Sequence, residues 1–277
     1  MSSMASRDID ACEFTRVLHS SRASPKHVLN EDACGYDISR RRVTAWIIDG
    51  ASPLLPCSNE IVHEFSHRIS NYIKASIEED IPLSASISLV RERIIANETE
   101  LTEKLRGLPK FAQPLAALSL VRSKFERNST MVEYFVMGDC LAIIDGQVHL
   151  QRSKSENFLK FLTARSGDDA EMILRYKRAR RRRQLRPDYC RWFNLSCDST
   201  LRGLHGHTEI SKGTDHSILL CSDGFYEPYT RQGIALGAVA SLCAERDPEG
   251  MIDETFSKIS NANALDDASA IFISNLW

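Results

Sequence analysis

The order of apolar and polar positions along the chain predicts two batches of strands, with helices between and after them. Glu13-Phe14-Thr15-Arg16-Val17-Leu18 reads as a strand, and Ser20 to Pro25 as a turn-rich break. Ala33-Cys34-Gly35-Tyr36-Asp37-Ile38 reads as a second strand, with Arg40-Arg41-Arg42 at a turn tip. Val43-Thr44-Ala45-Trp46-Ile47-Ile48 is apolar enough for a buried strand, and it runs into Asp49-Gly50, a strand-end breaker. From Ser58 to Ile77, Ile61, Phe65, Ile69, Tyr72 and Ile73 recur at the three-and-four spacing of one buried helix face. Ser84 to Leu105 repeats the pattern with Ile87, Val90, Ile94, Leu101 and Leu105.

Leu115 to Val121 returns to strand character, and Glu133 to Ile144 reads as two strands meeting at Gly138-Asp139. Asp145-Gly146 is a type I′ hairpin signal before Val148-His149-Leu150. A helical stretch is expected over Asn157 to Leu174, and a buried strand over Ser217 to Cys221 that ends in Ser222-Asp223-Gly224. Helices over Ile234 to Glu245 and Glu249 to Ile259 precede Asp266-Asp267 and a last strand, Ala268 to Ser274. Batched strands predict an α+β fold rather than alternating βαβ units. No linker rich in Pro, Gly or Ser divides the chain, so a single domain over residues 1–277 is expected.

Composition narrows the class. With 277 residues, 43% apolar and 26% charged, the chain has the make-up of an ordinary globular protein, not of a disordered or collagen-like one. Its formal charge of −2 excludes a globally basic nucleic-acid binder. No apolar window approaches the length of a membrane span, and Met1 to Asp10 lacks the apolar core of a secretory signal, so a cytoplasmic address is expected. The eight cysteines are scattered with no CxxC pair; Cys34, Cys140 and Cys221 read as small buried hydrophobes. One composition shift stands out. From Arg175 to Arg186, eight positive charges fall within twelve residues, while the other 27 basic residues face 37 acidic ones.

Aspartates recur at the ends of the strands expected to be buried. Ile47-Ile48 leads into Asp49-Gly50, Leu220-Cys221-Ser222 into Asp223-Gly224, and Asp266-Asp267 opens the last strand. Asn30-Glu31-Asp32 begins another, and Gly138-Asp139 lies between two more. A carboxylate at the end of a core strand is held rigidly while its head reaches a cleft. Several together repel one another and resist desolvation unless a counter-charge is present. Oxygen-only donors suit Mg²⁺ or Mn²⁺ and not a thiolate-bound Zn²⁺. Asp-Gly is also the commonest turn pair, and periodicity alone does not separate the two readings.

Order and surroundings do. Asn30-Glu31-Asp32-Ala33, Trp46-Ile47-Ile48-Asp49-Gly50, Val136-Met137-Gly138-Asp139-Cys140, Leu219 to Phe225 and Asp266 to Ile271 follow one another as in the metal-dependent type 2C serine/threonine phosphatases, which the sequence resembles from Phe14 to Ile273. The resemblance implies two antiparallel sheets in a β-sandwich flanked by helices, with two Mn²⁺ or Mg²⁺ ions at one end. Asp49 would bridge both ions. Asp223 and Asp266 would complete one site, Glu31 and the Gly50 carbonyl the other, and Asp32 would support them. Asp139 matches a position that, with Asp223, holds a third, weaker ion in relatives. Asp49 and Asp223 would thus act through a metal-activated water that attacks the phosphorus of a phosphoserine or phosphothreonine. Two departures are visible. Ala51-Ser52-Pro53 stands where many relatives have His-Gly-Gly, and His27, beside Lys26, stands where many have an arginine that clamps the substrate phosphate. Lys26 and His27 are therefore the candidate phosphate-binding residues, Lys26 first for its permanent charge.

Other readings compete. His63-Glu64-Phe65-Ser66-His67 is a literal His-Glu-x-x-His, the zinc-protease signature, although Ile61 and Phe65 set the buried face and turn both histidines toward solvent. A pseudophosphatase that binds phosphoproteins without turnover is the non-enzyme alternative. The Arg175–Arg186 run reads as a basic helix end and loop, or as a surface for an acidic or phosphorylated partner; with no aromatic but Tyr176 in it, nucleic acid is an unfavoured ligand.

Overall fold

The computed structural model describes residues 15–39, 41–51, 59–76, 81–151, 170–184, 191–196, 200–211, 216–258 and 265–276. Ten strands form two five-stranded sheets among these residues. The first sheet runs β1 (Arg16–Arg22), β10 (Ala268–Ser274), β9 (Ser217–Cys221), β6 (Leu141–Ile144), β7 (Gln147–Leu150). The second runs β2 (Ala33–Ser39), β3 (Arg42–Ala51), β4 (Leu115–Phe125), β5 (Ser129–Met137), β8 (Leu204–Ser211). Every neighbouring pair is antiparallel. The helices are α1 (Asn59–Ser76), α2 (Leu83–Asn97), α3 (Thr99–Arg106), α4 (Ala170–Gln184), α5 (Asp223–Arg231), α6 (Leu236–Arg246) and α7 (Pro248–Lys258).

Side-chain parity sorts these elements into four layers. Val43, Ala45 and Ile47 of β3 point between the sheets, onto a core shared with Ile218, Leu220, Ile271 and Ile273. Their neighbours Trp46 and Ile48 point outward against Phe65, Ile69 and Ile73 of α1 and Ile87, Val90 and Ile94 of α2. On the other side, Leu219, Cys221, Ala270 and Phe272 pack under Phe225, Tyr229, Val239, Cys243 and Met251 of α5, α6 and α7. Central strands covered on both faces need apolar residues at every position, which is why they read as unbroken apolar runs. Asp145 and Gly146 take φ of 50° and 76°, and the β6–β7 hairpin turns there as expected.

Four elements differ from expectation. Strand β1 continues through Ser20-Ser21-Arg22, because pairing on β10 satisfies its backbone and Ser21 Oγ hydrogen-bonds Ser269 Oγ (2.6 Å); Glu13 and Phe14 lie outside the described residues. The single helix expected over Ser84 to Leu105 breaks at Glu98 (φ −108°, ψ 61°), whose carboxylate accepts from Arg68 and Tyr72 of α1. Strand β8 has the polar sequence LHGHTEIS and escapes a hydrophobic pattern, since it is an edge strand held by its backbone ladder on β5. Helix α5 begins at Asp223 itself and contains Gly224 and Pro228, which disguise it as a turn. The basic run is helical through Gln184 in α4, and the stretch expected over Asn157 to Leu174 is described only from Ala170.

Candidate metal centre

The fold converts strand ends into a site through register and two close backbone contacts. Strand β3 does not stop at Asp49. It continues to Ala51, with Asp49 opposite Ala117 of β4, whereas its ladder to β2 ends at Ala33–Ile48. Continuing that register sets Asp32 beside Asp49 and Glu31 beside Gly50. Asp49 shares the parity of Ile47, so its carboxylate lies at the mouth of the gap between the sheets.

Gly50 and Gly224 serve close approach, not the turns expected of them. A Cβ on Gly50 would lie 2.6 Å from the Glu31 carbonyl oxygen and 2.5 Å from Val62 Cγ1, so only glycine lets the Glu31 backbone and α1 come this near. A Cβ on Gly224 would lie 2.0 Å from the Asp267 carbonyl oxygen. The first turn of α5 therefore rests on the chain entering β10, which brings Asp223 to Asp266. Asp139 comes from the junction of β5 and β6, where the chain passes from one sheet to the other, and its carbonyl accepts from Tyr226 OH (2.9 Å).

The result is a convergence of Asp49, Asp139 and Asp223, whose carboxylate oxygens lie within 4.8 Å of one another. Asp266, exposed, lines the adjoining cleft with Asp223, Gly224, Glu227, Arg231 and Lys26, and Lys26 Nζ lies 3.2 Å from its carboxylate. Asp32 is buried; its Oδ2 accepts from Ser222 Oγ (2.9 Å), and its Oδ1 has no hydrogen-bond partner among the described residues. Glu31, also buried, accepts from Asn59 Nδ2 at Oε1 (3.0 Å) and belongs to a second group, with His27 and Asp267, again within 4.8 Å.

Asp267 organises that second group. It accepts the Ser24 N–H (2.6 Å) and hydrogen-bonds His27 Nδ1 (2.8 Å) at Oδ1, and it accepts the Glu31 N–H at Oδ2. His27 is thus turned inward, while Lys26 faces the cleft. In the sequence, the one signal of Asp267 is its place beside Asp266. A second residue hidden in the sequence is Arg181, indistinguishable there from the rest of its run. In α4 it is 7% exposed, and its Nη2 donates to the carbonyl of Ala51 (3.1 Å), two residues beyond Asp49.

Crowding shows in the acidity of these groups. Burial, and then the Asp223 charge followed by Asp32, Asp139 and Asp266, pushes Asp49 well above the usual carboxylate range. Asp223 is raised by burial and by Asp139 and Asp266, and Asp32 by burial and Asp267. Arg181 is lowered to about 10 by burial and by Arg180, while Asp139 and Glu31 act in the opposite sense, so it remains charged at neutral pH. A hard dication among these oxygens would relieve the repulsion, and the all-oxygen donor set with an orphaned buried Asp32 oxygen fits such an ion.

The competing motifs fare differently. His63 and His67 stack with ring centroids 4.1 Å apart, and His63 Nδ1 donates to the Asn30 carbonyl (2.7 Å). Among the described residues, neither belongs to a group of three possible metal ligands. Cys34, read in the sequence only as a small buried hydrophobe, also stands six residues before Arg40, a Cys-x5-Arg spacing. It lies within β2 rather than a loop, and burial followed by Asp32 pushes its thiol up to about 11, far from the thiolate a nucleophile needs.

No family model matches the sequence, and no curated protein matches it. Solved structures do. The Streptococcus agalactiae serine/threonine phosphatase superimposes with a TM-score of 0.55 at 11% identity, over 94% of this chain and 99% of that one. The catalytic domain of the serine/threonine phosphatase PstP, in complex with two manganese ions, gives 0.52 at 15% identity, over 94% and 97%. The phosphatase Stp1 of Staphylococcus aureus gives 0.51 at 13% identity, over 97% and 98%. The two antiparallel five-stranded sheets flanked by helices are the fold of the type 2C phosphatases.

Proposed function

We propose that the chain is a metal-dependent protein phosphatase that hydrolyses phosphoserine and phosphothreonine. The observation that carries the reading is the meeting of Asp49, Asp139 and Asp223 within 4.8 Å at the mouth between the sheets, in a fold shared with phosphatases. Asp49, Asp139 and Asp223 would hold Mn²⁺ or Mg²⁺, with Asp266 on the cleft side, and Glu31 and the Gly50 carbonyl would receive a second ion. Such ions supply a water acidic enough to attack phosphorus at neutral pH and offset charge on the phosphoryl oxygens. The chain's own residues do the rest. The β3–β4 ladder fixes Asp49, Asp32 accepts from Ser222 beside Asp223, and the cleft lined by Lys26, Asp266 and Arg231 would admit a phosphorylated side chain. No helix among the described residues is long and apolar enough to cross a membrane.

The test is hydrolysis of p-nitrophenyl phosphate and of a phosphothreonine peptide with Mn²⁺, with Mg²⁺ and with EDTA. Turnover that needs the metal, and falls at least about a hundredfold in Asp49→Asn and in Asp223→Asn, is expected. A folded, metal-binding protein with no turnover would favour the pseudophosphatase reading. One observation favours that alternative: Glu31 is engaged with Asn59 and grouped with His27 and Asp267, apart from the three convergent aspartates.

A further inference from the structure

We propose that the basic helix α4 is a docking surface for a run of Asp and Glu residues beside the phosphorylated residue of a protein substrate. The inference rests on the phosphatase reading and names the kind of substrate that the centre receives. Three observations carry it. The first is charge. Seven of the fifteen residues of α4 are Arg or Lys, and Glu171 is its one acid. Like charges one turn apart destabilise a helix, and Arg175 with Arg178, Lys177 with Arg181, and Arg178 with Arg182 all stand at that spacing. Arg175 meets Glu171 at the surface (2.7 Å), and Lys177 and Arg182 are exposed.

The second is order. Arg178 and Arg182 both lie over the Phe111 ring, 5.2 and 5.5 Å from its centroid. The ring holds two guanidiniums near each other without neutralising them, so less side-chain entropy is lost when a carboxylate arrives. The third is place. Arg181 of the same helix donates to the Ala51 carbonyl, two residues beyond Asp49. Lys177 and Arg175 stand four and six residues before it, about 6 and 9 Å along the helix axis. Two or three extended residues of a bound segment cover about that span. Other polyanions fit less well. Tyr176, the one aromatic residue of α4, is half-buried, which leaves no platform for nucleic-acid bases. Met172 is the one exposed large apolar residue of α4 among the described residues, too little for a helix that lies in a lipid surface. Exposed ion pairs are weak singly, but several along one face steer encounter and choose partners.

The test compares wild type with Arg175→Gln/Lys177→Gln and Arg175→Glu/Lys177→Glu, exposed changes that keep good helix formers in place. The substrates are two phosphothreonine peptides, one flanked by a run of Glu and the other by Gln, assayed with Mn²⁺ at low and high NaCl. The fluorescein-labelled Glu-flanked phosphopeptide, in EDTA, reports binding without turnover. Wild type should have the lower KM for the Glu-flanked peptide at low salt, and the gap should close at high salt. The Gln pair should raise that KM about threefold to tenfold, and the Glu pair further. KM for the Gln-flanked peptide and for p-nitrophenyl phosphate should hold. Equal KM for the two peptides in wild type, or a preference that survives in both variants, would overturn the proposal. Where neither peptide is hydrolysed, the labelled peptide decides. Binding that weakens in the Glu pair would remove the phosphatase reading and keep α4 as a surface for acidic segments, whereas no binding would overturn the proposal. Tighter binding of oligouridylate or of phosphatidylserine vesicles, or self-association that the variants abolish, would also overturn it.

Discussion

Asp49 is held at the mouth of the sandwich by the β3–β4 ladder, with Asp223, Asp32 and Asp139 close enough to raise its pKa together with burial. A carboxyl whose folded pKa lies above its ordinary value of 3.8 binds its proton more tightly in the native state. Its stabilising contribution is complete at low pH and is lost as pH rises through the folded pKa. Metal-free protein should therefore lose stability as pH rises from about 4 toward and through the raised values. Thermal melts from pH 4 to 8 should show that slope in EDTA, a shallower slope in Asp49→Asn, and a flat one with Mn²⁺. A slope identical in EDTA and Mn²⁺ would contradict the account. Gly224 is as constrained by space as Asp49 is by charge. In Gly224→Ala the added Cβ meets the Asp267 carbonyl oxygen at 2.0 Å, so the first turn of α5 must shift. A loss of about 1–3 kcal/mol in urea unfolding is expected, with weakened Mn²⁺ binding, because Asp223 moves with that turn.

At the scale of elements, helix α1 commits one face to a sheet, and the motif it carries has to be read against that. Val62, Phe65, Ile69 and Ile73 are buried, which leaves His67 exposed and His63 half-buried beside Asn30. His67→Ala should leave both stability and metal-dependent hydrolysis unchanged. His63→Ala should cost about 1 kcal/mol for its hydrogen bond to the Asn30 carbonyl, and keep turnover. Loss of a zinc-dependent peptidase activity in either variant would reinstate the protease reading. Helix α5 and strand β8 make the opposite point. Both are elements that local pattern conceals, one behind Gly224 and Pro228 and the other behind a polar edge sequence.

For the whole molecule, the four-layer stack buries both faces of the central strands and leaves their ends to meet at one rim. On the proposed reading, metal binding there would be linked to folding, because the unfolded chain has no preformed cluster. Mn²⁺ at a hundred times its dissociation constant should stabilise the native state by about 2.7 kcal/mol for each site filled. Denaturant titration with and without Mn²⁺ would measure it, and Asp223→Asn should abolish most of the gain. A gain near one site's worth would match the one group of three aspartates, and about twice that would require Glu31 to join a second site.

The sequence by itself determined the strand that carries Asp49, the strands that Asp223 follows and Asp266 precedes, the α+β class and the surroundings of the acidic motifs. These are local properties: burial on both faces makes a run apolar, and an aspartate marks where the run reaches the rim. Only tertiary structure decided which acids meet. Glu31 and Asp32 are adjacent in sequence, yet Glu31 joins His27 and Asp267 while Asp32 faces Ser222. Nor does the run from Arg175 to Arg186 distinguish Arg181, because only the docking of α4 sets which of its arginines is buried against Ala51. Such choices depend on register, helix rotation and the spare space at Gly50 and Gly224, and these exist only once distant segments have packed.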